Sequence, residues 1–250
     1  MLRRVWKFLL AILSLIVILV LGLLGFFSYV SSQRSAMPEA AARLESDSDI
    51  EVQKDPWLVF MPTDGFTSTG FVLYPGGLVD EVAYAPNARA IAEAGYLVVI
   101  PPMPFNLAVF NINVAEKVIA AYPEITFWAI GGHSLGGSMA AAFTDTHGEL
   151  IDGLVLWASY PAESSDLSEA DLKVTSIYGT LDGVSPMEDV LASKPLLPAD
   201  TTWVPIQGGN HAQFGYFGEQ RGDNPATISR EEQIAQVIEA TIALLEKIGD

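Results

Sequence analysis

The chain has 250 residues, half of them hydrophobic, with no cysteine and a formal net charge of −17. This length favours one large domain, and the lack of cysteine excludes disulfide frameworks and cysteine-based zinc or thiolate chemistry. All 30 acidic residues follow position 34, so residues 35–250 hold 9 basic residues and a formal charge of −21, which disfavours binding to nucleic acid or anionic lipid headgroups.

An uncharged apolar run lies near the N-terminus. Phe8 to Val30 spans 23 residues, and as a helix it would extend about 34 Å, enough to cross a hydrocarbon core of about 30 Å. Arg3, Arg4 and Lys7 precede the run and only Arg34 follows it closely. The positive-inside rule therefore predicts a cytoplasmic N-terminus and an extracytoplasmic domain. A cleaved signal peptide is the alternative, although its apolar region would be shorter, about 7 to 15 residues.

Composition divides the chain into three segments. Residues 1–34, the apolar run with its basic flanks, are predicted to be an uncleaved transmembrane anchor. Residues 35–55 are rich in Ala, Ser, Glu and Asp and are predicted to form a solvated acidic stalk. Residues 56–250 are predicted to form the folded domain, and they contain no internal repeat.

The domain alternates between apolar runs and helical patterns. Two short runs, Trp57 to Met61 and Gly70 to Tyr74, are separated by Pro62-Thr-Asp-Gly65, which suggests a hairpin that opens the sheet. Further strands are predicted from continuous apolar runs and helices from amphipathic spacing. The predicted strands are 96–100, 127–130, 153–159, 174–178 and 202–206, and the predicted helices are 84–94, 113–121, 135–143 and 229–248.

Strands without clean polar alternation, interleaved with helices, indicate an α/β fold with a mostly parallel sheet and helices on both faces. Ligands of such sheets bind at the carboxyl ends of the strands. The polar stretch Tyr160 to Lys173 is too short for a separate cap domain. Functional residues are therefore expected in the loops that follow strands.

A glycine-flanked serine lies between a predicted strand and a predicted helix. Residues 132–136, Gly-His-Ser-Leu-Gly, match the pattern G-x-S-x-G. In this pattern the chain turns so tightly from strand to helix that only glycine fits on either side, and the serine is left exposed. The bare pattern arises easily by chance, but its position after an apolar strand and before a small-residue helix makes Ser134 the candidate nucleophile.

A serine hydroxyl is a weak nucleophile until a base removes its proton, and the usual base is histidine. The chain has three histidines. His133 adjoins Ser134, and because adjacent side chains diverge on such a turn, it is predicted to be packed or hydrogen-bonded. His147 ends the following helix and is predicted to be a surface or capping residue. His211 follows the last strand, at the correct edge of the sheet, and is the predicted base.

The histidine needs a carboxylate that holds it in one tautomer. The chain order serine, acid, histidine predicts this acid after the strand 174–178, where Gly179-Thr-Leu-Asp-Gly183 supplies Asp182. Glu188 and Asp189 come soon after, but they are predicted to lie on a solvated helix face. A plain Asp-Gly turn is the structural alternative for Asp182.

The oxyanion of a tetrahedral intermediate needs hydrogen-bond donors. One predicted donor is the backbone N–H of Leu135, directly after the serine. The other is expected in Pro75-Gly-Gly-Leu78, where glycines let the backbone approach a substrate closely. Gly77 and Leu78 are both candidates, and the sequence does not choose between them; a plain glycine turn is the alternative.

Four motifs together resemble the α/β-hydrolase superfamily, and more narrowly its small, capless, dienelactone-hydrolase-like branch. They are Tyr-Pro-Gly-Gly at 74–77, Gly-Gly-His-Ser-Leu-Gly-Gly at 131–137, Tyr-Gly-Thr-Leu-Asp-Gly at 178–183 and Gly-Gly-Asn-His-Ala-Gln-Phe-Gly at 208–215. The resemblance runs from about Trp57 to the C-terminus. It implies Ser134 as nucleophile, Asp182 as orienting acid and His211 as base. Dienelactone hydrolases proper use cysteine, so a chain without cysteine resembles a serine esterase instead.

Loops at the strand ends offer a tentative apolar pocket for an acyl or alkyl group. Aromatic clusters are more often core than pocket, so this set is the least specific prediction. Its members are Met103, Phe105, Asn106, Leu107, Phe110, Tyr160, Gln213, Phe214, Tyr216 and Phe217.

These features predict a membrane-anchored serine hydrolase acting on a small-molecule carboxylic ester, or on a lactone or thioester, through an acyl-enzyme. No metal ion and no organic cofactor are expected. Two alternatives use the same fold: a catalytically idle binding or scaffolding module, and an acyltransferase with the same triad. The sequence leaves acyl length and oligomeric state open.

Overall fold

The computed structural model describes residues 2–32 and 35–249. Helix α1, Leu2–Ser32, contains a stretch from Arg3 to Phe26 that is long and apolar enough to cross a membrane, and none of that stretch is buried. A signal sequence near an N-terminus can also satisfy such a test of helix length and hydropathy. The helix is therefore a candidate membrane span, as the apolar run predicts.

The domain is built on one eight-stranded sheet in the order β1-β2-β4-β3-β5-β6-β7-β8. Strands β3 to β8 run parallel, while β1 pairs antiparallel with β2, and β2 antiparallel with β4. The strands are β1 Ile50–Gln53, β2 Leu58–Pro62, β3 Thr69–Tyr74, β4 Leu97–Ile100, β5 Phe127–His133, β6 Gly153–Trp157, β7 Lys173–Gly179 and β8 Thr202–Ile206.

Helices cover both faces of the sheet, which confirms the predicted α/β fold. Successive strand residues point to opposite faces: Phe71 packs with Trp157 and Leu244 in one buried cluster, and Val72 packs with Phe143 in the other. The helices are α2 Pro38–Ala41, α3 Ala85–Glu93, α4 Val114–Ala121, α5 Leu135–Thr146, α6 Met187–Ala192 and α7 Arg230–Gly249. Residues 158–172 form turns without helix or strand, so the predicted absence of a cap holds for this segment.

Helix α7 begins where its sequence signal predicts. The Glu232 carboxylate accepts from the backbone N–H of Ser229 at 2.8 Å, and the Ser229 hydroxyl accepts from the backbone N–H of Glu232 at 3.2 Å. This reciprocal pair satisfies two donors that a helix start otherwise leaves without partners.

The predicted hairpin between β2 and β3 is wrong. Strand β4 lies between them, with Phe60 of β2 opposite Val98 of β4. The turn itself exists, since Gly65 has a φ of 91°. Turn chemistry fixes the local backbone but not which strand the chain pairs with next, and the fully buried β4 offers both neighbours a partner.

The predicted solvated stalk over residues 35–55 is also corrected. Ala36 forms a β-bridge with Phe217, Ala40 is fully buried, and Ile50 of β1 pairs opposite Pro62 of β2. The acidic side chains of this segment are exposed, and for this reason its composition resembles that of a solvated stalk. A few apolar residues attach the segment to the domain.

Arg89 holds this segment against helix α3. Its side chain is 6% exposed and donates to Asp47 Oδ2 at 2.7 Å, to the carbonyl of Arg43 at 3.2 Å and to the carbonyl of Glu45. Backbone N–H donors, foremost that of Ile50, hold the pKa of Asp47 below its ordinary value, and Arg89 adds to this. Arg89 thus joins α3 to the chain that leads from α1.

We expect Arg89→Met to lower the free energy of unfolding by about 2 kcal/mol. The methionine side chain fills similar space but cannot donate hydrogen bonds to the Asp47 carboxylate or to the two carbonyls. For a domain of this size that loss of free energy corresponds to a midpoint about 6 °C lower. Thermal unfolding of the full chain in detergent micelles measures the shift. Arg43→Met, at an exposed position, is the control and should change the midpoint little; equal shifts would contradict this role for Arg89.

Candidate active site

Ser134 lies at the carboxyl end of the central strand β5, at the start of α5, with φ 53° and ψ −123°. A positive φ is strained for any residue except glycine and persists only where neighbours hold it. The Ser134 N–H donates to the Trp157 carbonyl at 2.9 Å, and its carbonyl accepts from the Ser159 hydroxyl at 2.7 Å. The end of β6 therefore holds the strained peptide from both sides.

The flanking glycines are required by close backbone contacts. A Cβ added to Gly136 would overlap the carbonyl oxygens of Tyr74 and Pro75, and one added to Gly137 would lie 2.6 Å from the carbonyl oxygen of Gly132. Helix α5 can approach β3 and β5 this closely only without side chains at these positions. The local geometry is that of a nucleophile elbow.

His211 and Asp182 form a buried pair. His211 Nδ1 lies 2.8 Å from Asp182 Oδ2, and both side chains are fully buried. The other carboxylate oxygen, Oδ1, accepts from the N–H groups of Val184 at 2.8 Å and Ser185 at 2.7 Å. Because an ionised carboxylate can only accept, Nδ1 must carry the proton and Nε2 is left as the basic atom.

Nε2 of His211 makes no hydrogen bond within residues 2–32 and 35–249. The His211 ring lies 4.5 Å, centroid to centroid, from the ring of His133, which directly precedes Ser134. The structure thus brings the predicted base close to Ser134, without a hydrogen bond between Nε2 and the Ser134 hydroxyl. Such contacts are often long in enzymes without substrate and shorten when substrate binds.

His133 is packed and hydrogen-bonded, as predicted. It is buried, its Nδ1 lies 2.8 Å from the hydroxyl of Tyr84, and its ring stacks on Phe214 at 5.6 Å. The Tyr84 hydroxyl also accepts from the N–H of Gly76 at 3.0 Å. Tyr84 therefore joins the loop after β3 to the elbow; the sequence shows it only as the start of a helical pattern.

A cavity of about 220 Å³ opens in front of Ser134. Its lining residues are Gly76, Gly77, Leu78, Val79, Leu107, His133, Ser134, Leu135 and Gln220. Both proposed oxyanion elements, the Leu135 end of α5 and the loop with Gly77 and Leu78, thus lie beside the serine. The Leu78 N–H donates to the Asn106 carbonyl at 2.6 Å, so Leu78 could serve a substrate only after this bond breaks.

Of the tentative pocket residues, Leu107 lines this cavity and the others do not. Met103, Phe214 and Phe217 are buried in the core, while Phe105 and Phe110 are exposed to 62% and 60%. Tyr160 uses its carbonyl to accept from Ser138, and Asn106 holds Leu78. Gln213 is half-buried beside His211, and Tyr216 meets the Arg230 guanidinium.

Val79 and Gln220 also line the cavity at Ser134, and no pattern in the sequence indicates this.

Asp223 is a positioning residue that no pattern in the sequence indicates. Its Oδ1 accepts from the N–H of Gly183 at 3.1 Å and of His211 at 3.2 Å, and its Oδ2 accepts from the N–H of Ala212 at 2.8 Å. One carboxylate therefore fixes the loop that carries Asp182 and the loop that carries His211. Its place in a polar loop gives no periodic or motif signal.

We expect Asp223→Ala to lower kcat about 10- to 100-fold with little change in KM, because misplacing the acid–histidine pair affects the transition state more than substrate binding. Asp223→Asn retains one acceptor oxygen and should recover part of the loss. Steady-state kinetics on a simple ester measures this. Asp64→Ala, in an exposed turn, is the control, and an Asp223→Ala enzyme as active as that control would contradict the assignment.

Two further residues fix the loop that carries His211. The Gln233 side chain accepts from the N–H of Asn210 at 3.0 Å and donates to its carbonyl at 2.7 Å. Arg230 donates to the carbonyl of Ala212 at 2.8 Å and to that of Gly215. Burial lowers the pKa of Arg230 from its ordinary value, but a guanidinium remains charged at neutral pH.

The alternative histidine and acids lie elsewhere. His147 caps the end of α5 and stacks on Phe143 at 4.5 Å. Glu188 and Asp189 are exposed in the first turn of α6, as predicted for a solvated helix face. Within the described residues, no group of three or more His, Cys, Asp or Glu side chains could hold a metal ion.

A strained serine between a parallel strand and a helix, with an acid–histidine pair beside it, is the arrangement of hydrolytic enzymes built on an α/β sheet. The chain belongs to the alpha/beta hydrolase family, whose model matches residues 70–235. No curated protein matches the chain.

Solved structures share the fold at low identity. A CIB-like hydrolase from Thermoplasma acidophilum is 17% identical with a TM-score of 0.56, covering 78% of this chain and 98% of its own. The esterase domain of a Rhodothermus marinus protein is 12% identical with a TM-score of 0.57, covering 78% and 95%. Est1E from Butyrivibrio proteoclasticus, solved with ferulic acid bound, is 11% identical with a TM-score of 0.57, covering 78% and 98%.

Proposed function

We propose that this chain is a serine hydrolase that cleaves a carboxylic ester, or a lactone or thioester, through an acyl-enzyme. The observation that carries the proposal is the buried 2.8 Å contact between His211 and Asp182, which leaves Nε2 as a base beside the elbow of Ser134. Membership in the alpha/beta hydrolase family supports hydrolysis as the reaction class. The serine nucleophile and the dienelactone-hydrolase-like branch are part of the proposal.

In the first half-reaction, Ser134 Oγ attacks the substrate carbonyl carbon while His211 Nε2 takes the hydroxyl proton. Asp182 stabilises the imidazolium that forms. The N–H of Leu135 donates to the oxyanion, together with that of Gly77, or with that of Leu78 once its bond to the Asn106 carbonyl breaks. The carbon–oxygen bond to the leaving group then breaks, and the proton on Nε2 passes to the departing alkoxide, which leaves an ester on Ser134.

In the second half-reaction, water replaces the alcohol. Nε2 takes a proton from the water as its oxygen attacks the acyl carbon, and the second tetrahedral intermediate releases a carboxylic acid and returns the proton to Ser134 Oγ. No step requires a metal ion or an organic cofactor.

Turnover of p-nitrophenyl esters of graded acyl length, with product analysis, tests the proposal. We expect nitrophenol and a free carboxylic acid in equal amounts. An acyltransferase would instead give an acylated acceptor when an alcohol is added, and an idle binding module would give no turnover. Either result would reject hydrolysis as the reaction.

We further propose that α1 is an uncleaved anchor with the N-terminus in the cytoplasm and the domain outside it. The three basic residues Arg3, Arg4 and Lys7, which precede the uncharged run Phe8 to Val30, support this orientation. Protease added to intact cells, or to spheroplasts where an outer membrane exists, is expected to digest the domain. Full protection would contradict the orientation, and a purified protein whose mass lacks residues 1–30 would identify a cleaved signal.

A further inference from the structure

The loop between β4 and α4 is free of charge. Residues 94–115 contain no Asp, Glu, Lys or Arg, although residues 35–250 together carry a formal charge of −21. Within this stretch, residues 101–113 form the connection that follows Ile100 and precedes Val114. The rest of the surface is acidic and suits water. An uncharged surface segment in the same domain suits a less polar environment.

The same loop presents the exposed apolar side chains of the domain. Phe105, Val109 and Phe110 are 62%, 47% and 60% exposed, and they are the only exposed large hydrophobic residues that the structure describes between positions 35 and 249. The rings of Phe105 and Phe110 meet edge to face at 5.9 Å. Contiguous exposed apolar groups on an otherwise polar surface mark an interaction site.

The loop is held firmly in this conformation. Phe105 and Asn106 both have a φ of 55°, a left-handed conformation that is uncommon for residues other than glycine and persists where neighbouring groups hold it. The Asn106 carbonyl accepts from the Leu78 N–H at 2.6 Å, and the Tyr74 hydroxyl accepts from the N–H of Ala115 at 3.1 Å and donates to the Ile112 carbonyl at 2.5 Å. The exposed aromatics are thus fixed to the loop that borders Ser134.

Helix α1 indicates what surrounds these aromatics. A wholly apolar cavity of about 190 Å³ lies between Leu23 and Leu24 of α1 and the side chains of Phe105, Leu107 and Phe110. Leu23 and Leu24 precede Phe26, the end of the candidate span, by three and two residues, or about 3 to 5 Å along the helix axis. With α1 as the membrane span, the aromatic loop lies toward the end of the hydrocarbon region that follows Leu24.

We propose that the Phe105–Phe110 loop is seated in the outer leaflet of the membrane and that the apolar cavity against α1 receives the acyl chain of an ester dissolved in the bilayer. Leu107 lines both this cavity and the cavity at Ser134, so an acyl chain in the first places its ester bond toward the second. The substrate class is a long-chain ester of the membrane. This rests on the proposed hydrolase function and on α1 as the anchor.

Burial depth is measured without turnover. Because the chain lacks cysteine, Val109→Cys in the full chain, reconstituted in phosphatidylcholine vesicles, carries a single nitroxide label. We expect the label to collide more with oxygen than with a water-soluble nickel complex. Ala235→Cys, exposed on α7, is the control and should show the reverse. If the label at position 109 collides with the nickel complex as often as the label at position 235, the location of this loop in the membrane is overturned. Spin–spin broadening that shows two copies packed there would overturn it as well.

Substrate class is measured with two esters in the same vesicles, soluble p-nitrophenyl acetate and bilayer-dissolved p-nitrophenyl palmitate. We expect Phe110→Ser to lower the ratio of palmitate to acetate turnover about tenfold, since it removes the apolar contact of Phe110 with the palmitoyl chain of the substrate. An unchanged ratio would overturn the acyl site. If the unmodified chain cleaved neither ester, the hydrolase function itself would fail, together with the substrate class, whereas the nitroxide result would still decide the membrane seat.

Discussion

Ser134→Ala is expected to lower ester turnover by about 10⁵- to 10⁶-fold, because without the hydroxyl no acyl-enzyme can form. The same change should abolish reaction with a fluorophosphonate probe, in which the serine oxygen displaces fluoride from phosphorus. The fold should survive, since the strained backbone of Ser134 is held by its N–H and carbonyl bonds to Trp157 and Ser159 and not by its side chain.

Ser138→Ala is the matched control for this experiment. Ser138 lies one helical turn further along α5, and its hydroxyl donates to the Tyr160 carbonyl at 2.6 Å. The control variant should keep its reaction with the probe and most of its turnover. Equal probe labelling of the Ser134→Ala variant and the unmodified chain would reject Ser134 as the nucleophile.

Asp182→Asn is expected to lower kcat by about 10⁴-fold, because an amide can face His211 with its NH₂ group and favour the tautomer whose Nε2 carries a proton. A protonated Nε2 cannot accept the serine proton. The asparagine carbonyl can still accept from Val184 and Ser185, which now bond to Oδ1 at 2.8 and 2.7 Å. The loss should therefore appear in catalysis with little loss of stability.

Asp189→Asn provides the control for the acid, since Asp189 is an exposed carboxylate in the first turn of α6. It should keep nearly full kcat, and thermal unfolding should give similar midpoints for both variants. A loss of less than about tenfold for Asp182→Asn would point to another orienting acid. Glu188 would then be the next residue to test.

The sequence is most informative where the determining chemistry is local or depends on chain order. Glycines at 132 and 136 permit the tight turn at Ser134, and Ser229 with Glu232 marks the start of α7. The order of Ser134, Asp182 and His211 suffices to predict an acid and a base, and the structure brings that acid and base together in a buried pair.

Other features depend on residues that are distant in the chain. The predicted hairpin is wrong because β4 lies between β2 and β3, and nothing in the sequence of either strand indicates this position of β4. Residues 35–55 have the composition of a stalk, yet Arg89 and the β1–β2 pairing attach this segment to the domain. Asp223 gives no local signal because its acceptor oxygens serve N–H groups up to 40 residues away.

The sequence by itself thus determined the class of fold, the anchor-like helix and the candidate triad, since periodicity, glycine sterics and motif order are properties of short segments. The tertiary structure alone decided which residues of the predicted loops line the cavity at the serine. It places Leu107 at Ser134 and leaves Phe105 and Phe110 exposed beside α1. The physical reason is that a side chain's burial depends on the elements packed against it, and these come from distant parts of the chain.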